Sequence, residues 1–240
     1  MKSLKFTALV LCASMLLSSC NMNNTGKGSL IGAGGGAALG SVIGALASNN
    51  KGKGAGIGAA VGSAVGAGVG ALIGKKMDKA KAAAEEVENA QVESVTDANG
   101  LQAVKVTFDS GILFATSSSS LSSNATASLA KFASTVLNVN KDMDVAIKGY
   151  TDNQPWKNST AAESVQKNLN LSKQRAEAVS SYLKQCGVSS SQIASVEGLG
   201  EADPVADNST KAGQEQNRRV EIYLYASQAM IEAAQAQSGN

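Results

Sequence analysis

Glycine recurs at every fourth residue over much of the first third of this chain. Gly28, Gly32, Gly36, Gly40 and Gly44 form one series, and Gly54, Gly58, Gly62, Gly66, Gly70 and Gly74 a second. Seventeen of the 25 glycines lie between Gly26 and Gly74. A period of four places them on one slowly drifting helical stripe, where another backbone can approach closely. The polar stretch Ser48-Asn49-Asn50-Lys51-Gly52-Lys53 separates the series as a turn. The pattern predicts a helical hairpin within residues 30–76, with arms Leu30–Ala47 and Ala55–Lys76. Glycine in an exposed helix costs about 1 kcal/mol relative to alanine, so arms this rich in glycine need a partner backbone or lipid. The arms are 18 and 22 residues long, near the roughly 20 that cross a hydrocarbon core. Against insertion, no Phe, Trp or Tyr occurs from Thr7 to Thr107 to form an interfacial belt. Insertion in or on a membrane, self-association through the glycine faces, and a flexible Gly/Ala spacer all stay open. The strict spacing favours a zipper.

The first residues read as an address. Lys2 and Lys5 precede an apolar run from Phe6 to Leu17, too short to span a bilayer but suited to a signal sequence. The run ends in Leu17-Ser18-Ser19-Cys20, which resembles a bacterial lipobox. The resemblance implies a signal peptide at residues 1–19 and lipidation of Cys20, with residues 20–29 as a tether. Acyl chains contribute about 0.8 kcal/mol per buried CH₂, so more than one chain anchors stably. By resemblance to lipoprotein sorting rules, Asn21 with no acidic cluster behind it implies an outer-membrane lipoprotein facing the periplasm. Cys12 leaves with the signal and Cys186 stays as a lone thiol. Loss of Lys2 and Lys5 takes 21 basic residues to 19 against 19 acidic ones, a formally neutral mature chain.

Composition removes several functions. The chain contains no histidine, which excludes Ser/His and Cys/His catalysis and His-ligated zinc. A net charge of +2 gives no footprint for nucleic acid. The glycine series lacks the strand–turn–helix setting of a phosphate loop, and Asp109 and Asp152 form no recognisable catalytic pair. The reading is a non-enzyme without cofactor or metal.

Residues 77–94 read as a charged helical linker. Lys75, Lys76, Lys79 and Lys81 precede Glu85, Glu86, Glu88 and Glu93 among alanines, the pattern of a solvated stalk. Asn99-Gly100 marks a turn. Beyond it, Ala103–Phe108 alternates as a strand, and Leu121, Ala125, Leu129, Phe132 and Val136 form a helical stripe. Val145–Tyr150 is a second strand. Leu171–Gln185 is a second helix stopped by Gly187, Ile193–Leu199 a third strand and Arg219–Tyr225 a fourth. The order is βαβαββ, an α+β fold with a mixed sheet and helices on one face, at residues 95–226. Residues 227–240 form an Ala/Gln tail.

Four blocks in this region resemble the OmpA-like peptidoglycan-binding family. Gly149-Tyr150-Thr151-Asp152-Asn153 is similar to its G-[HY]-T-D-N, and Asn168 to Ala176 to its N-x-x-L-S-x-x-R-A. Gly198-Leu199-Gly200-Glu201, with Pro204-Val205-Ala206-Asp207-Asn208 and Asn217-Arg218-Arg219-Val220-Glu221-Ile222, resembles its closing blocks. The glycine series likewise resembles the zippers of outer-membrane lipoproteins. The family resemblance implies a site for the diaminopimelate of the peptidoglycan stem peptide. That residue ends in an ammonium and a carboxylate on one carbon. By the resemblance Asp152 receives the ammonium and Arg175 forks onto the carboxylate. Asn168, seven residues before Arg175, shares its helix face if the helix starts early and bonds ligand backbone. Thr151 joins this set, and Arg218 either frames the pocket or pairs with a carboxylate. Trp156 either covers the ligand or packs. Glu201 and Glu221 read as surface or turn residues.

The chain departs from the family pattern twice. Asp152 and Asn168 are 16 apart, where many members have about half that spacing. The longer loop Asn153–Lys167 resembles that of flagellar stator domains. Phe114 is followed by Ala115, where many members carry an acid. The implied partners are peptidoglycan, membrane lipid through acylated Cys20, and further copies through the zipper. The implied function is tethering of the outer membrane to the wall. The competing expectation is a membrane-active or oligomeric glycine scaffold that wall binding positions. A stator needs an ionisable group in its span, and neither glycine series contains Asp or Glu.

Overall fold

The computed structural model describes residues 67–97 and 100–238. The signal segment, Cys20, the tether, the first zipper arm, the start of the second and Asn99 lie outside the described residues. The elements run α1 (Ala67–Glu85), β1 (Ala90–Thr96), β2 (Gln102–Asp109), α2 (Ser110–Leu113), α3 (Ser123–Phe132), β3 (Met143–Gly149), α4 (Ala161–Gln185), β4 (Ile193–Gly198), α5 (Lys211–Asn217), β5 (Arg219–Ala226) and α6 (Gln228–Ser238). A wider helical turn, Ala133–Leu137, extends α3.

The strands form one sheet in the order β1-β2-β5-β3-β4. β3 and β4 are parallel, and every other neighbouring pair is antiparallel. The mixed sheet and its helical cover are those expected from the alternating pattern. Its inner face is built in register rows. Val104 sits opposite Leu224 and Leu224 opposite Val145; Val106, Ile222 and Ile147 form the next row. These side chains are buried beneath α1, α3 and α4. Phe108 meets Phe132 of α3 edge to face, with ring centroids 6.0 Å apart, a favoured aromatic geometry.

Two stretches differ from the sequence reading. The region expected as a solvated stalk holds the second half of α1 and the edge strand β1. α1 passes through residues 76 and 77 unbroken and buries Val69, Gly70, Ile73, Gly74, Met77, Ala80 and Ala84. Its lysines occupy the opposite face, so one helix carries a charged side and a core side. Gly70 and Gly74, the last glycines of the second series, lie on this buried side. The tail helix α6 packs on α1 and buries Met230 and Ile231.

The other difference is the start of α4, at Ala161 rather than Leu171. Thr160 caps it, accepting from the Glu163 amide while Glu163 accepts from the Thr160 amide, a reciprocal cap that fixes the first turn. Half of the expected long loop is therefore helix.

The outer face of β5 is polar yet covered. Arg219 donates to Glu221 at 2.8 Å, and the Tyr223 hydroxyl donates to the same carboxylate at 2.6 Å. Glu221 is only 3% exposed, which corrects its reading as a surface residue. Burial alone would raise its carboxyl, but Arg219 and the Tyr223 hydrogen bond hold it below the usual range.

Candidate functional site

The two glycines that close the parallel strands set the position of α4. Gly149 and Gly198 are register partners. A Cβ on Gly149 would lie 2.1 Å from the Ser172 carbonyl oxygen, and one on Gly198 would lie 2.2 Å from the Lys173 amide nitrogen. The helix backbone rests directly on the strand ends. Thr151 and Asp152 follow Gly149 at once, so they emerge beside the α4 residues that carry the second sequence block.

An open cleft of about 760 Å³ lies there, and Thr151, Asp152, Asn168, Arg175 and Arg218 all line it. Sequence spacing brought these five to one place through three elements: the end of β3, the inner side of α4 and the entry to β5. The condition on Asn168 is met, since α4 begins before it and both Asn168 and Arg175 are buried.

Within the set, Arg218 takes one of the two roles expected of it and pairs with a carboxylate. Arg218 Nη1 donates to Asp152 Oδ2 at 2.5 Å, so Arg218 is the cation that pairs with the acid. Arg175 instead donates from Nε to the Ser118 carbonyl at 3.0 Å. Its guanidinium carbon lies 5.1 Å from the centroid of the Phe114 ring. Among the described residues only Nε has a hydrogen-bond partner, which leaves both Nη ends for the cleft. Burial lowers the Arg175 pKa, the nearby Arg218 charge lowers it further, and Asp152 opposes both. A second anion at this guanidinium would relieve that repulsion.

Asn168 is engaged by protein. Its Oδ1 accepts from the Trp156 indole at 2.7 Å, and its Nδ2 donates to the carbonyls of Asp152 at 3.4 Å and Gln154 at 3.3 Å. Asn168 therefore pins the loop that carries Asp152. The Trp156 amide donates to Ser164 Oγ at 3.0 Å, and its side chain forms part of the cleft wall.

Two hydroxyls on the cleft lack partners. Thr151 Oγ1 and Ser110 Oγ are buried and have no hydrogen-bond partner among the described residues, a state polar groups avoid unless something else satisfies them. Ser110 was not a sequence candidate. It lies where the first strand's alternation breaks, and no spacing rule points to it. Ala115 lines the same cleft and brings no charge. Among the described residues no group of three or more Cys, Asp or Glu side chains is arranged for a metal ion.

Comparison with known proteins agrees with this fold. Residues 113–218 match the OmpA family, and residues 1–78 match the YMGG-like Gly-zipper. The peptidoglycan-binding protein ArfA of Mycobacterium tuberculosis is 46% identical over 83 residues, covering 35% of this chain and 23% of ArfA. The outer-membrane lipoprotein YfiB of Pseudomonas aeruginosa is 36% identical over 115 residues, covering 48% of this chain and 62% of YfiB. The matched stretch thus spans less than two-thirds of either relative. A solved structure of the cell wall anchor of the type VI secretion system of P. aeruginosa superposes with a TM-score of 0.50 at 27% identity, covering 63% of this chain and 97% of that one. α1, β1 and β2 precede the matched OmpA segment and complete its sheet and core. Residues 113–218 are therefore similar to the OmpA family, and they follow a segment, residues 1–78, that is similar to the YMGG-like Gly-zipper.

Proposed function

We propose that the cleft binds the stem peptide of peptidoglycan by its diaminopimelate, without catalysis, and that the chain tethers the outer membrane to the wall through acylated Cys20. The observation that carries this reading is the placement of Asp152 and Arg175. They come from separate elements, line one open cleft, and no described residue claims either Nη group of Arg175. Diaminopimelate presents an ammonium and a carboxylate on one carbon. Asp152 Oδ1, opposite the oxygen that Arg218 holds, takes the ammonium. The Arg175 fork takes the carboxylate with two parallel bonds. The names of ArfA and YfiB, one peptidoglycan-binding and one an outer-membrane lipoprotein, support the reading. Each such contact is weak, and a membrane tether raises the effective concentration along a wall of many identical stems.

The test is retention of the full chain on insoluble diaminopimelate-type peptidoglycan. Asp152→Asn and Arg175→Gln each remove most of the bound protein while circular dichroism stays unchanged. Retention of both folded variants at wild-type levels overturns the assignment. Growth with radiolabelled palmitate tests the anchor: label enters the wild type and not Cys20→Ala.

A further inference from the structure

Four ionisable side chains line the cleft: Asp152, Lys157, Arg175 and Arg218. Three are cations and one is an anion, a lining charge of +2. The zwitterionic head of diaminopimelate is neutral, so on the reading above it leaves this excess uncompensated. Arg218 is already bound to Asp152, and Arg175 is assigned to the first ligand carboxylate. Lys157 has no ion-pair partner among the described residues.

Lys157 is exposed, but the segment that presents it is fixed. The preceding residue, Trp156, is held through its amide to Ser164 and through its indole to Asn168. Lys167 of α4 lies 5.9 Å from the Trp156 ring centroid. Asn158 follows in the left-handed region, at φ 56°, and turns the chain back toward the Thr160 cap. A braced turn thus carries Lys157 in the cleft lining. Across the cleft, Ala115 adds no negative charge to offset it.

We infer, resting on the stem-peptide reading, that Lys157 forms a second anion subsite for the free α-carboxylate of the γ-linked D-glutamate next to diaminopimelate. The cleft then distinguishes stems by amidation state. A stem capped at its amino end, L-Ala-γ-D-Glu-diaminopimelate, carries three carboxylates and one ammonium, a charge that mirrors the lining. The D-isoglutamine form lacks the carboxylate that Lys157 would meet.

Trp156 is the only tryptophan in the chain, so its emission reports on the cleft. The detergent-solubilised full chain is titrated at low ionic strength with N-acetyl-L-Ala-γ-D-Glu-meso-diaminopimelate and with its D-isoglutamine counterpart. The wild type binds the glutamate form about threefold more tightly, the size of one exposed ion pair. Lys157→Gln binds both peptides equally, and Lys157→Arg restores the preference. A preference that persists in Lys157→Gln, or equal binding of both peptides by the wild type, overturns the subsite while leaving the stem-peptide site intact. Absence of binding of either peptide by the wild type overturns both.

Discussion

Arg218 holds one carboxylate oxygen of Asp152 at 2.5 Å, although 66 residues separate them in sequence. The contact follows from topology: β5 lies between β2 and β3 and runs antiparallel to β3, so its first residues meet the end of β3. Arg218 thereby fixes the rotamer of Asp152, whose second oxygen accepts from the Gln154 amide at 3.2 Å and keeps a further lone pair for the cleft. About a third of Arg218's side chain is exposed, so the pair is screened and modest. Arg218→Gln should lower unfolding free energy by about 0.5–1 kcal/mol and weaken wall retention less than Asp152→Asn. Denaturant titration and peptidoglycan retention on the same preparations check both.

Gly149 tests the close seating of α4. With a Cβ placed 2.1 Å from the Ser172 carbonyl oxygen, Gly149→Ala forces strand and helix apart. The expected loss is about 3 kcal/mol, with a fall in wall retention because Asp152 and Arg175 separate. Wild-type stability in this variant would show that α4 sits further from the sheet.

Met77 tests whether α1 belongs to the domain. It is fully buried, so Met77→Ala should cost about 2–4 kcal/mol. A solvated stalk would lose nothing. Thermal unfolding of the full chain separates the two outcomes.

Stability should fall at both ends of the pH range. The Glu221 carboxyl is held below its ordinary value. Its contribution is complete above the unfolded value of about 4.3 and disappears as pH falls through the lower folded value. Asp144, raised by burial, acts in the opposite sense, so Glu221→Gln isolates the effect. The gap between wild type and this variant should narrow below about pH 4. Burial raises the phenols of Tyr150, Tyr223 and Tyr225. Their contribution is intact below about pH 10 and is lost above it. Urea midpoints across the pH range measure both limbs.

Much of this was legible in the residues. The alternation of β2, β3 and β5 is clean because one face meets the helices and the other does not. The four family blocks placed all five candidate residues on one cleft. The start of α4 was also readable, since Thr160 and Glu163 have the spacing of a reciprocal cap, but the polar residues between them resemble a loop. The inner face of α1 was obscured because its stripe uses alanine and glycine, which give little hydrophobic contrast against a dense set of lysines and glutamates. The partner of Asp152 was not legible. Choosing Arg218 over Arg175 required knowing which strand lies beside β3, and local spacing does not encode sheet order. Glu221 was misread for a related reason: parity put it on the outer face, and only the structure shows Arg219 and Tyr223 closing over it.

The packing of α1 has a mechanical consequence. Its inner stripe lies along the sheet and against α6, and no slack segment separates Ala67 from the core. A pull entering at Ala67 while the cleft is held elsewhere loads many side chains at once by sliding one layer along another. It does not peel the domain open one residue at a time. The helix is a built-in strut that adds little compliance of its own to any connection made through it.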